Sequence, residues 1–275
     1  FDTVCVVSEA SRFREMVSRL RRPRKIQWIH TDYAVWKDLT YWTRDITARD
    51  GELYRHFDAV VCLSPRLRDK FVALYPYLSD KVLAIPNPVD AGRILSLAEA
   101  PCPFSTDKAP FNLITVGRME SEKRYDRLLE IAAQLKNHVD FHWFFVGDGR
   151  LLASNRELCR AMGLDECITF TGKLENPYPL MKRCDLFVLI SEYEGTPVTI
   201  DEAKVLGLPV LANDVGGVAD MLEEGMYGVI LSGPNEAASQ IIHWANQPCY
   251  TAPVNHQTQK PFMRELLINT ILPQP

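Results

Sequence analysis

From residue 111 onward, apolar runs of four to seven residues, rich in β-branched and aromatic side chains, alternate with segments of helical period. The alternation predicts strands at 112–116, 142–146, 168–170, 186–190, 209–212 and 228–231. It predicts helices near 123–136, 151–162, 177–182, 197–206, 216–223 and 235–246. Strands that alternate with helices build right-handed βαβ units, hence a parallel sheet with helices on both faces. The helix after Lys123 displays its core face, with Tyr125, Leu128, Leu129, Ala132 and Leu135 at helical spacing. The first hundred residues repeat the theme less completely, with strands at 3–7, 25–29, 59–63 and 82–85. Phe13, Met16, Val17 and Leu20 predict one buried stripe on a helix between the first two. Ser64 and Pro65 open another helix as N-cap and first helical residue.

A proline-rich break, Ile-Pro-Asn-Pro-Val-Asp at 85–90, is followed by a segment at 98–110 that reads as an exposed linker. The domain boundary is placed there. A first domain spans 1–97, a second 111–247, and a tail with one helix near 261–271 occupies 248–275. A total of 275 residues suffices for two domains of ordinary size. Four strands make a thin first domain. The chain also opens with Phe1 inside a strand, which reads as an N-terminally incomplete protein.

Composition narrows the classes. A net charge of −4 gives no global reason to expect nucleic-acid binding. Cys5, Cys62, Cys102, Cys159, Cys167, Cys184 and Cys249 are odd in number and never form a Cys-x-x-Cys pair. That pattern speaks against a disulfide framework or a structural zinc site and fits a reducing cytosol. No apolar run is as long as a membrane-spanning helix. Charge is locally uneven: Arg12, Arg14, Arg19, Arg21, Arg22, Arg24 and Lys25 face only Glu15. The segment is either a surface helix with its arginines on the wet side or a patch that docks on anionic lipid at the inner membrane.

The most specific stretch, Ser-Glu-Tyr-Glu-Gly-Thr-Pro-Val-Thr-Ile-Asp-Glu-Ala at 191–203, carries Glu194 and Glu202 with seven residues between them. A strand that ends at a carboxylate, turns at Gly195 and opens a helix at Pro197 combines backbone N–H groups with two acids. Phosphates suit the N–H groups and sugar hydroxyls suit the acids, so the ligand that fits is a nucleotide-sugar. Thr196 is expected to cap the helix. An acid near a helix start is often only a dipole stabiliser, which would account for Glu202 by itself but not for Glu194. Upstream, Val-Gly-Arg-Met-Glu-Ser-Glu-Lys-Arg at 116–124 ends a strand, with Gly117 at the turn and Arg118 and Lys123 beside the next helix. Two surface cations are commonplace, but at the carboxyl edge of a parallel sheet they suit a diphosphate. Val-Gly-Asp-Gly at 146–149 is a tight turn that puts Gly147 on the same edge. The loop holding Lys173 and Leu174 is either filler or a wall for a nucleobase. Val-Gly-Gly at 215–217 opens another helix on that edge. His30 ends a first-domain strand and has two readings, a structural one and contact with the donor sugar.

These residues resemble retaining glycosyltransferases of the GT-B fold, in the large family four that includes bacterial polysaccharide and cell-wall enzymes. The resemblance rests on 116–123, 146–149, 194–203 and 207–217, and more loosely on 29–32 and 85–90. It implies an α/β chain of two Rossmann-like doubly wound domains facing a cleft, the first one truncated. It implies that Arg118 and Lys123 hold the donor diphosphate and that Glu202 hydrogen-bonds the ribose. Glu194, with the backbone of Gly195, Thr196, Pro197 and Val198, would hold the transferred sugar and phosphate. Lys173 and Leu174 would line the base, and His30 would reach the sugar. No cofactor or metal motif is needed in such enzymes, because cations and a helix N-terminus stabilise the departing diphosphate. The acceptor implied is a saccharide or a lipid-linked molecule, and the location cytoplasmic.

The chain departs from the family pattern in three places. The glycine-rich acceptor loop is absent, Thr196-Pro197 replaces a common Phe-Gly, and Asp201 stands where an apolar residue is usual. Two rivals keep the nucleotide-sugar: a binding module without turnover, and an epimerase, for which ring-oriented acid–base residues are missing. A dinucleotide-dependent reductase would need a Gly-x-Gly-x-x-Gly opening that neither domain has.

Overall fold

The computed structural model describes residues 2–9, 13–39 and 49–247. Arg12 and the helix expected near 261–271 lie outside them. Contacts divide the described residues into two units. The first runs to Pro88 and takes in Tyr193–Thr196; the second comprises Val89–Glu192 and 197–247. Among the described residues no helix is long and apolar enough to cross a membrane.

The first unit is built on β1 (Thr3–Val6), β2 (Arg24–Ile29), β3 (Ala59–Cys62) and β4 (Val82–Ala84), all parallel and in the order β1-β2-β3-β4. Its helices are α1 (Phe13–Ser18), α2 (Tyr33–Leu39), helical residues 49–54 (α3) and α4 (Pro65–Leu74). Each strand lies within two residues of its expected place. Ser64 caps α4 as its sequence predicts, its hydroxyl accepting from the Leu67 N–H at 3.2 Å. The core gathers Ile26, Tyr54, Val60, Val61 and Phe71, all at most 1% exposed.

The stripe expected on α1 does not form. Val17 is buried, but Phe13 is 67%, Met16 57% and Leu20 38% exposed. Arg14, expected on the wet side, is buried and salt-bridged to Asp50 at 2.9 Å, with the Tyr54 hydroxyl at 3.2 Å and the Glu9 carbonyl also in contact. Tyr33 donates to the same Asp50 carboxylate. A helix of six residues is less than two turns long and cannot carry a stripe of four apolar positions. Its inward positions go instead to Val17 and to an arginine whose charge is compensated on several sides.

The second unit carries β5 (Phe111–Val116), β6 (Phe141–Val146), β7 (Ile168–Gly172), β8 (Leu186–Leu189), β9 (Val210–Asn213) and β10 (Gly228–Leu231). Its helices are α5 (Ala91–Ala98), α6 (Tyr125–Leu135), α7 (Leu152–Ala161), α8 (Tyr178–Met181), α9 (Val198–Val205), α10 (Val218–Met221) and α11 (Ala237–Asn246). The sheet is parallel in the order β10-β9-β8-β5-β6-β7. The chain starts at the middle, builds outward through β6 and β7, then returns to β8 on the other side of β5. That doubly wound order opens a crevice at the carboxyl ends of β5 and β8. The first sheet, among the described residues, proceeds in one direction and has no such reversal.

Strands buried on both faces read as continuous apolar runs, and β6 (Phe-His-Trp-Phe-Phe-Val) is buried throughout. Two polar side chains stitch the middle of the sheet: Trp143 donates its indole N–H to Thr115 Oγ1 at 3.2 Å, and Thr115 donates to the Val188 carbonyl at 2.7 Å. The five positions expected on the core face of α6 are all buried.

The units part earlier than the expected linker. α5 groups with the second unit, Ala91 and Ile94 packing against Val205, and Leu97 accepting from Asn176 Nδ2 at 2.8 Å. Its sequence gives little warning, being eight residues long with Gly92 inside and Pro-Asn-Pro just upstream. Asp90 starts it, accepting from the Arg93 N–H at 3.1 Å. In the segment 98–110, Pro101, Pro103, Ser105, Asp107, Lys108 and Pro110 are exposed, while Cys102 and Phe104 pack partly buried against the core of the second unit.

Candidate active site

The turns that follow β5, β6 and β7 are laced together backbone to backbone. Gly117 donates to the Val146 carbonyl and Gly147 to the Gly172 carbonyl, each at 2.9 Å. Gly147 adopts φ +145, and a Cβ there would fall 1.8 Å from the Gly117 carbonyl oxygen. No other residue type fits that position. Met119 donates to the Asp148 carbonyl at 2.9 Å, and Arg150 pairs with Glu120 at 2.7 Å. The rim at the carboxyl end of these strands is therefore a fixed platform of main chain.

Arg118 and Lys123 both stand on this platform. The Arg118 side chain is 76% exposed and pairs with Glu122 at 3.2 Å. The Lys123 stem lies along Gly117, with Cδ and Cε 3.7 Å from where a Cβ would be. Lys123 closes a short 3-10 turn, Ser121–Lys123, and α6 begins two residues later. Between turn and helix Arg124 takes φ +47 and reaches Glu192 at 2.6 Å and Asp126 at 2.8 Å. The Glu192 N–H donates to the Glu122 carbonyl at 2.7 Å. These bonds tie the chain leaving β8 to the chain leaving β5.

Glu194 lies on the connection from β8 to α9. Its carbonyl accepts from the Asp32 N–H at 3.3 Å, and Gly195 bridges Thr31, which is why residues 193–196 group with the first unit. A Cβ on Gly195 would sit 1.8 Å from the His30 carbonyl oxygen. His30 itself ends β2, exposes its ring, stacks on Trp28 at 6.5 Å and donates its N–H to Glu9 Oε2 at 3.4 Å.

Thr196 does not cap α9, contrary to expectation. Pro197 occupies the N-cap position, and the Thr196 hydroxyl is buried and accepts from Asn87 Nδ2 at 3.3 Å. The proline sets the extended N-cap geometry, φ −66 and ψ 117, without a side-chain bond. Val198 follows as the first helical residue, 47% exposed.

Glu202 lies on the second turn of α9 and accepts a hydrogen bond from the Tyr178 hydroxyl at 2.8 Å. Burial raises the Glu202 carboxyl above its usual range, and the Tyr178 bond pulls it back down. Burial, then the Glu202 carboxylate, pushes the Tyr178 phenol up to about 12. Asp201 is pushed up to about 6 by burial, against the pull of Lys204. Lys173 is exposed, while Leu174 packs partly buried against the core.

Arg118, Lys123, Gly117 and Gly147 thus stand on the connections that leave β5 and β6, and Glu202 on the helix that follows β8. Glu194, Gly195, Thr196 and His30 belong by their contacts to the first unit. Sequence reasoning passed over Tyr178, Glu122, Arg124 and Glu192. For Glu192 a signal existed, a second acid two residues before Glu194. Tyr178 sits in a short segment with no motif.

Residues 103–257 match the family model of glycosyl transferases group 1, and residues 1–93 match that of glycosyltransferase family 4. The chain is 32% identical over 127 residues to the Vi polysaccharide biosynthesis protein VipC/TviE of Salmonella typhi, covering 46% of this chain and 22% of that protein. It is 29% identical over 181 residues to the alpha-D-kanosaminyltransferase of Streptomyces kanamyceticus, covering 63% and 47%. The chain therefore spans less than half the length of these relatives. The crystal structure of Anabaena Alr3699/HepE in complex with UDP superimposes with a TM-score of 0.72 at 18% identity, covering 90% of this chain and 72% of that one. The two parallel-sheet units are those of the GT-B fold. With more than half its length matched by one family model, the chain belongs to the glycosyl transferases group 1 family.

Proposed function

We propose that the chain forms the donor-binding part of a retaining glycosyltransferase that moves a hexose-type sugar from a nucleoside-diphosphate sugar to a saccharide or lipid-linked acceptor in surface polysaccharide synthesis. The observation that carries this reading is the reversal of strand order between β5 and β8, whose carboxyl ends lead into the Arg118–Lys123 loop and the Glu194–Glu202 segment. A relative named for Vi polysaccharide biosynthesis and a structural neighbour in complex with UDP support it.

In this reading Arg118 and Lys123 hold the diphosphate. The first N–H groups of α9, which have no partner within the helix, meet its remaining negative charge. Arg118 would exchange Glu122 for phosphate when the donor arrives. The Gly117 and Gly147 turns let the main chain approach the phosphates, Lys173 and Leu174 flank the base, and Glu202 takes a ribose hydroxyl. Glu194 orients the transferred sugar through its hydroxyls, beside the Gly195 backbone. His30 is assigned a contact with the same sugar. As the glycosidic bond to the diphosphate breaks, negative charge grows on the leaving oxygen. Donors already in place stabilise that charge more than the ground state. The acceptor hydroxyl gives up its proton to the departing phosphate oxygen, and the sugar keeps its anomeric configuration. A lipid-linked acceptor would bring the chain to the cytoplasmic face of the membrane, where exposed Arg19, Arg21 and Arg22 would meet anionic headgroups.

Replacing Glu194 with alanine tests the assignment. Sugar transfer should fall by about a hundredfold or more while UDP affinity stays within about threefold. Unchanged turnover in Glu194→Ala would refute the role.

A further inference from the structure

The Tyr178 hydroxyl reaches Glu202 Oε1 at 2.8 Å from a different helix, and this contact belongs to no sequence motif. Tyr178 is itself held in place. Its N–H donates to Asn176 Oδ1 at 3.3 Å, and Asn176 donates onward to the Leu97 carbonyl of α5 at 2.8 Å. It packs against the buried cluster of Ala91, Ile94 and Val205. A phenol fixed in this way removes one of the two oxygens of Glu202 from competition and sets the rotation of the carboxylate.

We propose that Tyr178 is a positioning residue for nucleoside recognition: it holds Glu202 so that the second carboxylate oxygen, Oε2, accepts a ribose hydroxyl, and thereby sets the preference for ribo- over deoxyribonucleoside diphosphates. The proposal rests on the reading of Glu202 as the ribose contact. A site built to hydrogen-bond a hydroxyl discriminates against a ligand that lacks it, because the site's own polar group is then left buried and unpaired. That discrimination weakens when the carboxylate can turn away.

Arg93 of α5 acts on the Tyr178 phenol, and Glu202 and Asp201 are neighbours on α9, with Lys204 and Glu223 acting on Asp201. Since the Tyr178 bond pulls the Glu202 carboxyl down against burial, removing the hydroxyl lets it rise, so ligand binding should fail at a higher pH on acidification.

The experiment compares binding of UDP with 2′-deoxy-UDP and 3′-deoxy-UDP by calorimetry between pH 5 and 8, with the GDP series used in parallel for a purine-selective site. The wild-type chain should prefer the ribonucleotide over one of its deoxy forms by about tenfold or more. Tyr178→Phe should cut that ratio several-fold and move the acid limb upward, with melting unchanged within a few degrees. Glu202→Gln should abolish the ratio. If Tyr178→Phe keeps both ratio and acid limb while Glu202→Gln loses the ratio, the ribose assignment stands and the role of Tyr178 is overturned. If Glu202→Gln also keeps the ratio, the ribose assignment itself fails and the proposal with it. A melting temperature far below wild type in Tyr178→Phe would mark the hydroxyl as scaffold and overturn the positioning role.

Discussion

Lys123 lays its methylene stem over Gly117 while Arg118 reaches out into solvent toward Glu122. The two cations are thereby prepared in different ways. One is guided by packing along its stem, and the other is steered by an exposed ion pair that contributes little to stability on its own. A diphosphate offers Arg118 a partner with more charge and a geometry its planar fork matches. Replacing both with alanine should weaken UDP binding by about a hundredfold or more, since hydrogen bonds to charged groups contribute most strongly. Calorimetry giving equal affinity would contradict the phosphate assignment. The platform beneath them is set by Gly147, whose φ and clearance leave no room for a side chain.

At the scale of elements, α1 and α6 make opposite cases. Over eleven residues α6 has room for a full apolar face, so spacing alone fixes its buried side. α1 has six residues, and tertiary partners decide which of them turn inward. Arg14 wins because Asp50 and Tyr54, both on α3, and the Glu9 carbonyl are already there to receive it. Arg14→Met should cost the first unit about 3–5 kcal/mol, because it leaves Asp50 buried without its cation. Met16→Ala, on the exposed side, should change stability by no more than about 0.5 kcal/mol. Urea unfolding of the two variants, followed by hydrogen exchange in the first sheet, compares them directly. Equal effects would return α1 to the status of an ordinary amphipathic helix.

At the scale of the whole molecule, the second unit holds titrating groups that act in opposite directions. His142 is 1% exposed within β6, bonded through Nε2 to Thr169 Oγ1 at 2.8 Å, and burial, helped by Lys108, lowers it to about 4. The unfolded chain takes up this proton near pH 6.5. The folded state refuses it until about pH 4, so stability falls as pH drops through that window. Asp201, raised to about 6, protonates first in the folded state and offsets part of the loss. Between pH 7 and 5 the wild-type chain should therefore lose about 2 kcal/mol more than His142→Gln, read from melts at both pH values. Identical losses would refute the contribution of the buried imidazole. The sequence by itself determined the ten strands and the helices of the second unit other than α5, because long apolar runs and helical periods are local, as are the glycine, arginine and glutamate signals at the strand ends. Tertiary structure decided what locality cannot. The strand order, and with it the crevice between β5 and β8, depends on pairing between distant segments. Short α5 joins the second unit through side chains of α8 and α9 rather than through any pattern of its own. Glu202 acquires Tyr178 as a partner only because two helices, separated in sequence by a strand, converge on the same carboxylate. A residue's type and period are fixed along the chain, whereas the company its polar atoms keep is fixed by packing across it.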